Sequence, residues 1–162
     1  MSQREIPTWD QYFIDLARHV ATRSKDPSTQ VGAVIVDPQH NVRALGYNGF
    51  PRGVADTADR LADRELKLML TAHAETNAVY AAARMGVSTE GCTIYLSSLP
   101  PCADCSKAII QAGIIRVGMP YGLADVPQRW RFSVDTGYLM LTEAGVRVSS
   151  IPMGTYNANS ND

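Results

Sequence analysis

The chain has 162 residues, of which 45% are hydrophobic, 7% aromatic and 19% charged. This length fits one domain with a sizeable core, and the ordinary composition excludes collagen-like and disordered proteins. Fifteen basic against sixteen acidic residues leave a formal net charge of −1. Because nucleic-acid-binding proteins usually carry a basic excess, we expect no nucleic-acid partner. No apolar run approaches the roughly 20 residues of a membrane span, so we expect no membrane partner either.

The cysteines indicate a metal or redox site rather than a disulfide framework, because there are only three of them. Cys102 and Cys105 form a C-x-x-C motif, which in a reducing compartment indicates metal binding or dithiol chemistry. Cys92 is expected to be a small buried residue outside the site. The first residues show no apolar segment of a secretory signal, so the expected location is the cytoplasm.

The first half of the chain predicts one helix and two strands. Thr8 and Gln11 fit a capping box, and apolar residues at helical spacing extend the helix to about residue 23. A β-branched apolar run at 31–36 predicts a first strand, and residues 42–47, after a group of turn-forming residues, predict a second. A loop follows the second strand. Residues 54–70 fit either an exposed helix or an ordered loop, and both interpretations stay open.

The second half alternates helices with strands, and glycines mark the helix ends. The predicted elements are a helix at 73–85, a strand at 93–96, a helix at 102–112, a strand at 114–119, a helix at 133–144 and a strand at 146–149. This alternation predicts an α/β sandwich with parallel pairings, and the last crossover is too long for a hairpin. We expect a single domain over residues 1–156 and a flexible tail over 157–162.

Two of these helix starts carry groups that bind metals. His73 stands at one start, and Cys102 and Cys105 stand at the other. Because parallel βα connections open on the same side of a sheet, the two starts can converge. The two cysteines share one helical face, and with His73 they offer zinc three ligands. Three protein ligands leave a fourth position open for water, which is typical of a catalytic zinc site.

Glu75 completes the predicted site as a proton carrier. It is too close to His73 along the chain to be a convenient fourth ligand, but its carboxylate can lie beside a water in the open position. There it would move a proton from the water to the reacting ring nitrogen and the leaving amine. The order H-x-E…P-C-x-x-C is a known pattern of zinc-dependent nucleobase deaminases. Each motif alone has a common structural explanation, so the prediction depends on their joint occurrence.

The chain resembles the deoxycytidylate (dCMP) deaminase family, of the cytidine deaminase-like superfamily, over roughly residues 9–118. Beyond the zinc motif, the likeness lies in RSKDP at 23–27, QVGA at 30–33, GYNG at 46–49 and IQAGI at 110–114. The zinc motif marks the whole superfamily. The segments that precede it narrow the resemblance to the nucleotide branch.

The resemblance implies a three-layer α/β/α sandwich whose five-stranded mixed sheet has strands 4 and 5 parallel. It implies one zinc ion per chain held by His73, Cys102 and Cys105, with Glu75 as the proton shuttle. Many relatives carry a second, structural zinc held by cysteine and histidine. Residues 24–30 and 52–72 contain neither residue type here, so we expect only the catalytic zinc.

The resemblance also implies a set of substrate-binding residues. Asn48 would hydrogen-bond the sugar, and the backbone near Ala74 would read the pyrimidine edge. Ser24 and Lys25 would lie near the 5′-phosphate, although a solvated loop explains their charge and polarity equally well. The family usually places tyrosines after the fourth strand. Here Tyr121 or Trp130 would supply a stacking surface, or would lie in the core or an interface.

The leading functional hypothesis is hydrolytic deamination of a free cytosine nucleotide, dCMP to dUMP and ammonia, in pyrimidine nucleotide metabolism. The same zinc chemistry on dCTP, a cytosine nucleoside or a purine base such as guanine stays open. A nucleic-acid-editing deaminase is disfavoured by the absence of basic excess, and a non-enzymatic zinc module by the open coordination position. A dithiol redox protein is a further alternative, which a zinc assay would distinguish. The family suggests a homo-oligomer, specifically a hexamer.

Overall fold

The computed structural model describes residues 5–153; the predicted tail and the end of the predicted domain lie outside these residues. The elements in chain order are α1 (Trp9–Ala21), β1 (Gly32–Val36), β2 (Val42–Tyr47), α2 (Ala58–Ala62), α3 (Arg64–Leu70), α4 (Ala74–Met85), β3 (Thr93–Leu96), α5 (Ala103–Gln111), β4 (Arg116–Met119), a 3₁₀ turn (Leu123–Asp125), α6 (Gln128–Glu143) and β5 (Arg147–Ser150). Across the described range, every helix is too short or too polar to cross a bilayer.

The five strands form one mixed sheet in the order β2-β1-β3-β4-β5. Strand β1 pairs antiparallel with both β2 and β3, so β2 and β3 run in the same direction. Strands β3, β4 and β5 pair in parallel. The predicted parallel pairing of strands 4 and 5 is therefore confirmed, as is the mixed five-stranded sheet.

Helices cover both faces of the sheet, which confirms the three-layer sandwich. Every residue of the interior strand β1 is buried, because alternate side chains enter different cores. Val34 and Val36 pack with Phe13 of α1 on one face. Ala33 and Ile35 join the cluster that α4 and α5 form on the other face. The predicted burial of Cys92 is also confirmed, in this second cluster.

The predicted helices differ from the observed ones mainly at their ends. The predicted capping box is confirmed, since Thr8 and Gln11 exchange two hydrogen bonds of 3.2 Å. Residues 54–70 contain two short helices, and the Asp63 side chain caps the second by accepting from the Leu66 amide. The prediction that the last helix starts near Ser133 is wrong, because α6 already begins after Pro127.

Two glycines allow the helices that carry the site to approach their neighbours closely. A Cβ on Gly46 of β2 would lie 2.3 Å from the Ala74 carbonyl oxygen at the start of α4. A Cβ on Gly137 of α6 would lie 2.9 Å from the Pro101 oxygen and 3.0 Å from the Cys102 oxygen. Because backbone atoms occupy this space, a larger residue would displace the helix start.

Candidate active site

The helices α4 and α5 begin at the same end of the sheet, beyond the C-terminal ends of β2 and β3. His73 is the N-cap residue of α4 and Cys102 is the N-cap residue of α5. Neither side chain caps its own helix, so both are free to contact other groups. Cys105 lies in the first turn of α5. The predicted convergence of the two helix starts is confirmed by the contacts among these three side chains.

The three side chains have the spacing that a zinc ion requires. The His73 Nδ1 atom lies 3.5 Å from Cys102 Sγ and 3.4 Å from Cys105 Sγ. Zinc bonds of about 2.3 Å to sulfur and about 2.0 Å to nitrogen, at a tetrahedral angle, separate the nitrogen from each sulfur by about 3.5 Å. Between residues 5 and 153, this is the one group of three metal-ligating side chains whose ligand atoms lie within 4.8 Å of one another. The donor set fits one metal ion.

Contacts among these side chains shift their pKa values in opposite directions. A hydrogen bond from the Cys105 thiol, aided by one from His73, lowers the pKa of Cys102 to about 4. The hydrogen bond to Cys102 raises the pKa of His73 to about 9. The hydrogen bond to Cys102 and burial together raise the pKa of Cys105. The protein groups alone therefore favour one thiolate, and metal binding would release further protons from the site.

Glu75 lies in the first turn of α4, two residues after His73, and is buried. Burial raises its pKa, and the nearby positive charge on His73 opposes this shift. A carboxyl group whose pKa is raised can hold and release a proton closer to neutral pH. The site therefore combines three metal-ligating atoms with a buried carboxyl group suited to proton transfer.

Polar contacts from β2 and its loop hold the start of α4. The Asn77 amide donates to the carbonyl oxygens of Tyr47 at 2.8 Å and Ala72 at 3.3 Å. Gly49 and Ala72 also exchange backbone hydrogen bonds of 3.1 and 2.9 Å. Both contacts fix the residue that immediately precedes His73. The metal-ligating imidazole of His73 therefore belongs to a backbone segment that is held from two sides.

A side chain of α6 holds the start of α5. The Ser133 hydroxyl accepts a hydrogen bond of 3.2 Å from the Ala103 amide, next to Cys102. This contact serves as a cap that the Cys102 side chain does not provide. The sequence marks Ser133 only as a possible helix start, because its partner lies 30 residues away. The sequence therefore gives no signal of its role in supporting the metal site.

The predicted sugar contact, Asn48, is buried directly after β2. Its Oδ1 atom accepts from the Val31 amide at 2.8 Å, and its Nδ2 donates to the Thr29 carbonyl at 2.9 Å. An amide side chain has two donor and two acceptor sites, so one of each is left for a ligand. Ala74, the predicted pyrimidine reader, is the fully buried first residue of α4.

The other predicted substrate residues have different surroundings. The Ser24 hydroxyl donates to the Asn48 carbonyl at 2.8 Å, so it lies beside the predicted sugar contact. The Lys25 ammonium lies 2.7 Å from an Asp56 carboxylate oxygen at the surface, and it would have to leave Asp56 to reach a phosphate. Tyr121 and Trp130 are 44% and 39% exposed, which excludes the alternative that they are core residues.

Lys67 is a buried residue that the sequence does not mark. Only 6% of its surface is exposed, and its ammonium lies 2.9 Å from Asp26 Oδ1 and 3.2 Å from the Ser28 hydroxyl. Its neighbours in α3 give no signal, because both partners lie about forty positions earlier in the chain. Asp26 and Ser28 belong to the same loop as Ser24, so Lys67 contacts the loop that contains part of the predicted nucleotide-binding region.

The fold and these side chains together define a zinc-dependent α/β/α enzyme. Residues 7–120 match the sequence model of the cytidine and deoxycytidylate deaminase zinc-binding region. The matched range covers well over half of the chain and includes His73, Glu75, Cys102 and Cys105. The chain therefore belongs to the cytidine and deoxycytidylate deaminase family.

Individual relatives agree with this assignment. The chain is 42% identical over 149 residues to a protein of Aliivibrio fischeri described as an uncharacterized deaminase in the luxG 3′ region, covering 91% of this chain and 97% of that protein. It is 41% identical over 114 residues to the deoxycytidylate deaminase of Homo sapiens, covering 67% of this chain. It spans about three fifths of that relative's length.

A solved structure supports the fold. The dCMP deaminase of the cyanophage S-TIM5, in complex with dCMP and dUMP, superposes with a TM-score of 0.69 at 26% sequence identity. The superposition covers 90% of this chain and 98% of the phage protein. The predicted cytidine deaminase-like fold is thereby confirmed.

Proposed function

We propose that this chain is a zinc-dependent hydrolase that converts dCMP to dUMP and ammonia. The observation that carries the proposal is the group of His73, Cys102 and Cys105, with the buried carboxyl of Glu75 beside it. The choice of dCMP among possible substrates is supported by the relatives, whose described activity is deamination of deoxycytidylate. It is also supported by the RSKDP and GYNG segments, because Ser24 of the first donates a hydrogen bond to Asn48 of the second.

His73, Cys102 and Cys105 would hold one zinc ion and leave a fourth position open. When bound, zinc activates a water molecule for attack on the pyrimidine ring. Glu75 would accept a proton from the attacking water and deliver protons to ring nitrogen N3 and to the leaving amine. The reaction then balances as water and dCMP in, and dUMP and ammonia out. Burial suits Glu75 to this role, because a raised pKa lets the carboxyl return the proton it has taken.

The nucleotide would be held by groups around the ends of β2 and α1. The free N–H and lone pair of Asn48 would contact the sugar, and the backbone at Ala74 would read the pyrimidine edge. Ser24 lies beside Asn48 and would face the 5′-phosphate, which Lys25 would reach by exchanging Asp56 for the phosphate. The exposed ring of Tyr121 would stack on the base.

We also propose that the protein is a homo-oligomer acting in the cytoplasm, with one domain over residues 1–156. The edge strand β2 exposes Leu45 and Tyr47, and the adjacent α4 exposes Tyr80, which is the kind of surface that partner subunits cover. The family resemblance suggests six subunits. The metal-ligating thiols favour a reducing compartment, and the balanced charge favours a small nucleotide over a nucleic acid or membrane partner.

The test is ammonia release by the zinc-loaded protein, with kcat/KM compared for dCMP, CMP, deoxycytidine, dCTP and guanine. We expect dCMP to have the highest value. It should exceed deoxycytidine by about ten- to a hundredfold, because a charge-assisted contact to the phosphate contributes roughly 1.5–3 kcal/mol. Equal values for deoxycytidine and dCMP would contradict the phosphate contact. Turnover of guanine alone would contradict the substrate class and leave the zinc site as proposed.

A further inference from the structure

Lys67 is the most deeply buried cation among the ion pairs of residues 5–153. The side chains of Lys67 and Asp26 are 8% and 11% exposed, whereas those of Lys107 and Asp104 are 60% and 85% exposed. Exposed pairs of this kind contribute little, but a buried ammonium is tolerated only when it is well paired. Removal of one partner from such a pair leaves an uncompensated charge. The Lys67–Asp26 contact therefore has consequences that the surface pairs lack.

Asp26 organises the loop formed by residues 24–30. Its Oδ1 atom accepts hydrogen bonds from the amides of Ser28 at 2.8 Å and Thr29 at 3.1 Å, in addition to the bond from Lys67. The Asp26 amide donates to the Ser24 hydroxyl at 3.3 Å. The shape of the loop thus depends on the position of a single carboxylate. Lys67 is the charged group that holds this carboxylate in the protein interior.

The same loop encloses Asn48. The Thr29 carbonyl in the loop and the Val31 amide directly after it use one donor and one acceptor site of the Asn48 side chain, and the Ser24 hydroxyl donates to the Asn48 main-chain carbonyl. A shift of the loop would therefore move the Asn48 side chain. The loop is the direct support of the residue that we assign to the sugar.

The backbone of Lys67 leads in the other direction to the metal site. The Lys67 carbonyl accepts from the amide of Thr71 at 3.0 Å and from its hydroxyl at 2.7 Å. The next residue, Ala72, pairs with Gly49 and precedes His73. Lys67 thus joins the segment that leads to a metal-ligating residue with the loop that holds Asn48.

We propose that Lys67 is a positioning residue that, through Asp26, holds the 24–30 loop and thereby sets Asn48 relative to the metal-ligating residues. It contacts the loop and not the substrate. This inference rests on the proposed function to the extent that Asn48 binds the nucleotide. Its prediction is a selective one: loss of Lys67 weakens nucleotide binding more than it slows the chemical step.

The test uses the zinc-loaded 162-residue chain with Lys67→Met, which keeps most of the side-chain volume and removes the charge. We expect the KM for dCMP to rise about tenfold, which corresponds to about 1.4 kcal/mol, with kcat changed less than about threefold. Zinc should stay at one ion per chain. Amide hydrogen exchange in residues 26–31 should become faster. The matched control is Lys107→Met, the same change at an exposed pair, for which all four quantities should stay as in the unsubstituted protein.

A double-mutant cycle with Asp26→Asn distinguishes positioning from a general loss of stability. If the two side chains act as a unit, the KM of the double variant should rise no more than that of the worse single variant. The double variant also buries no unpaired charge, so it provides a folded sample if Lys67→Met alone folds poorly.

Unchanged exchange in residues 26–31 together with an unchanged KM in folded Lys67→Met would overturn the proposal, as would fully additive effects in the cycle. Absence of dCMP turnover in the unsubstituted protein would instead contradict the proposed function. The exchange measurement and its Lys107→Met control would in that case still decide whether Lys67 holds the loop.

Discussion

Two groups of polar side chains lie near the C-terminal ends of β2 and β3, and they are held in place by different means. The metal-ligating group projects from the first turns of α4 and α5, and backbone packing at Gly46 and Gly137 sets the positions of those helices. The loop group, formed by Asp26, Lys67, Ser24 and Asn48, depends on side-chain hydrogen bonds between distant segments. The first group should therefore respond to changes in helix packing, and the second to the loss of single polar contacts.

The largest expected effect is loss of the metal when a ligand is removed. In His73→Ala or Cys102→Ala, two ligand atoms cannot hold zinc tightly, so elemental analysis should find zinc well below one per chain and ammonia release should be abolished. Residues 26–31 should keep their hydrogen exchange, because the loop group does not depend on the metal. Cys92→Ala is the control and should keep one zinc, since Cys92 lies in the core. Full zinc content in Cys102→Ala would contradict the assignment.

An intermediate effect is expected when the close helix contacts are blocked. Gly46→Ala and Gly137→Ala insert a methyl group against backbone atoms, and overpacking of this kind costs about 1–3 kcal/mol of unfolding free energy, occasionally more. At Gly137, inside α6, the higher helix propensity of alanine would by itself raise the unfolding free energy by about 1 kcal/mol. A net decrease there would therefore show that the close contact outweighs helix propensity.

Urea unfolding measures this effect, and Gly122→Ala is the control. A Cβ on Gly122 would meet its nearest neighbour at 3.8 Å, so the change should stay within about 0.5 kcal/mol. Wild-type stability in both Gly46→Ala and Gly137→Ala would show that backbone packing does not fix the metal-ligating helices.

The smallest expected effect is the pH dependence that the carboxylate of Asp26 adds to the stability of the loop group. Burial alone would raise the pKa of Asp26, but hydrogen bonds from Lys67 and from the Ser28 and Thr29 amides outweigh it, and the net shift is downward from 3.8. A group whose pKa is lowered on folding contributes stability above its unfolded-state pKa and loses it as the pH falls through the folded-state value. The stabilisation of the unsubstituted protein relative to Asp26→Asn should therefore be full at neutral pH and decline below about pH 3.8.

The measurement is the difference in unfolding free energy between the unsubstituted protein and Asp26→Asn, from neutral pH to below about pH 3.8. Zinc release at low pH affects both proteins alike and so cancels in this difference. Asp59→Asn, at an exposed position of α2, is the control, with a difference within about 0.5 kcal/mol throughout. A difference for Asp26→Asn that does not vary with pH would contradict the role of its charge.

The metal site and the sheet could be predicted from the sequence because their signals are local. Cys102 and Cys105 lie three positions apart, so one helix start places both side chains on the same face without any distant contact. Glu75 follows His73 in the first turn of the helix that begins at His73. The strands β1 and β3 likewise show their burial as short apolar runs. Convergence of the two helices then followed from the general behaviour of βα connections.

The supports of the site could not be predicted, because they depend on partners that are distant in sequence. Ser133 fits a helix start by type, but its hydroxyl caps α5 from within α6. Lys67 lies among leucines of a short helix, and only the folded chain brings it to Asp26. The sequence predicts Lys25 near a phosphate, and its pairing with Asp56 likewise depends on a tertiary contact. Local patterns therefore indicated the reacting groups, but not the residues that position them.

The central claim is that the buried carboxyl of Glu75 carries the proton at a zinc site formed by two helix starts. The most direct test measures zinc content and kcat for dCMP together in Glu75→Gln. Because glutamine has nearly the same shape but cannot carry a proton, the variant should keep one zinc per chain, while kcat falls by at least about 10²–10⁴-fold. Near-normal turnover with zinc intact would contradict the claim and remove Glu75 from the mechanism.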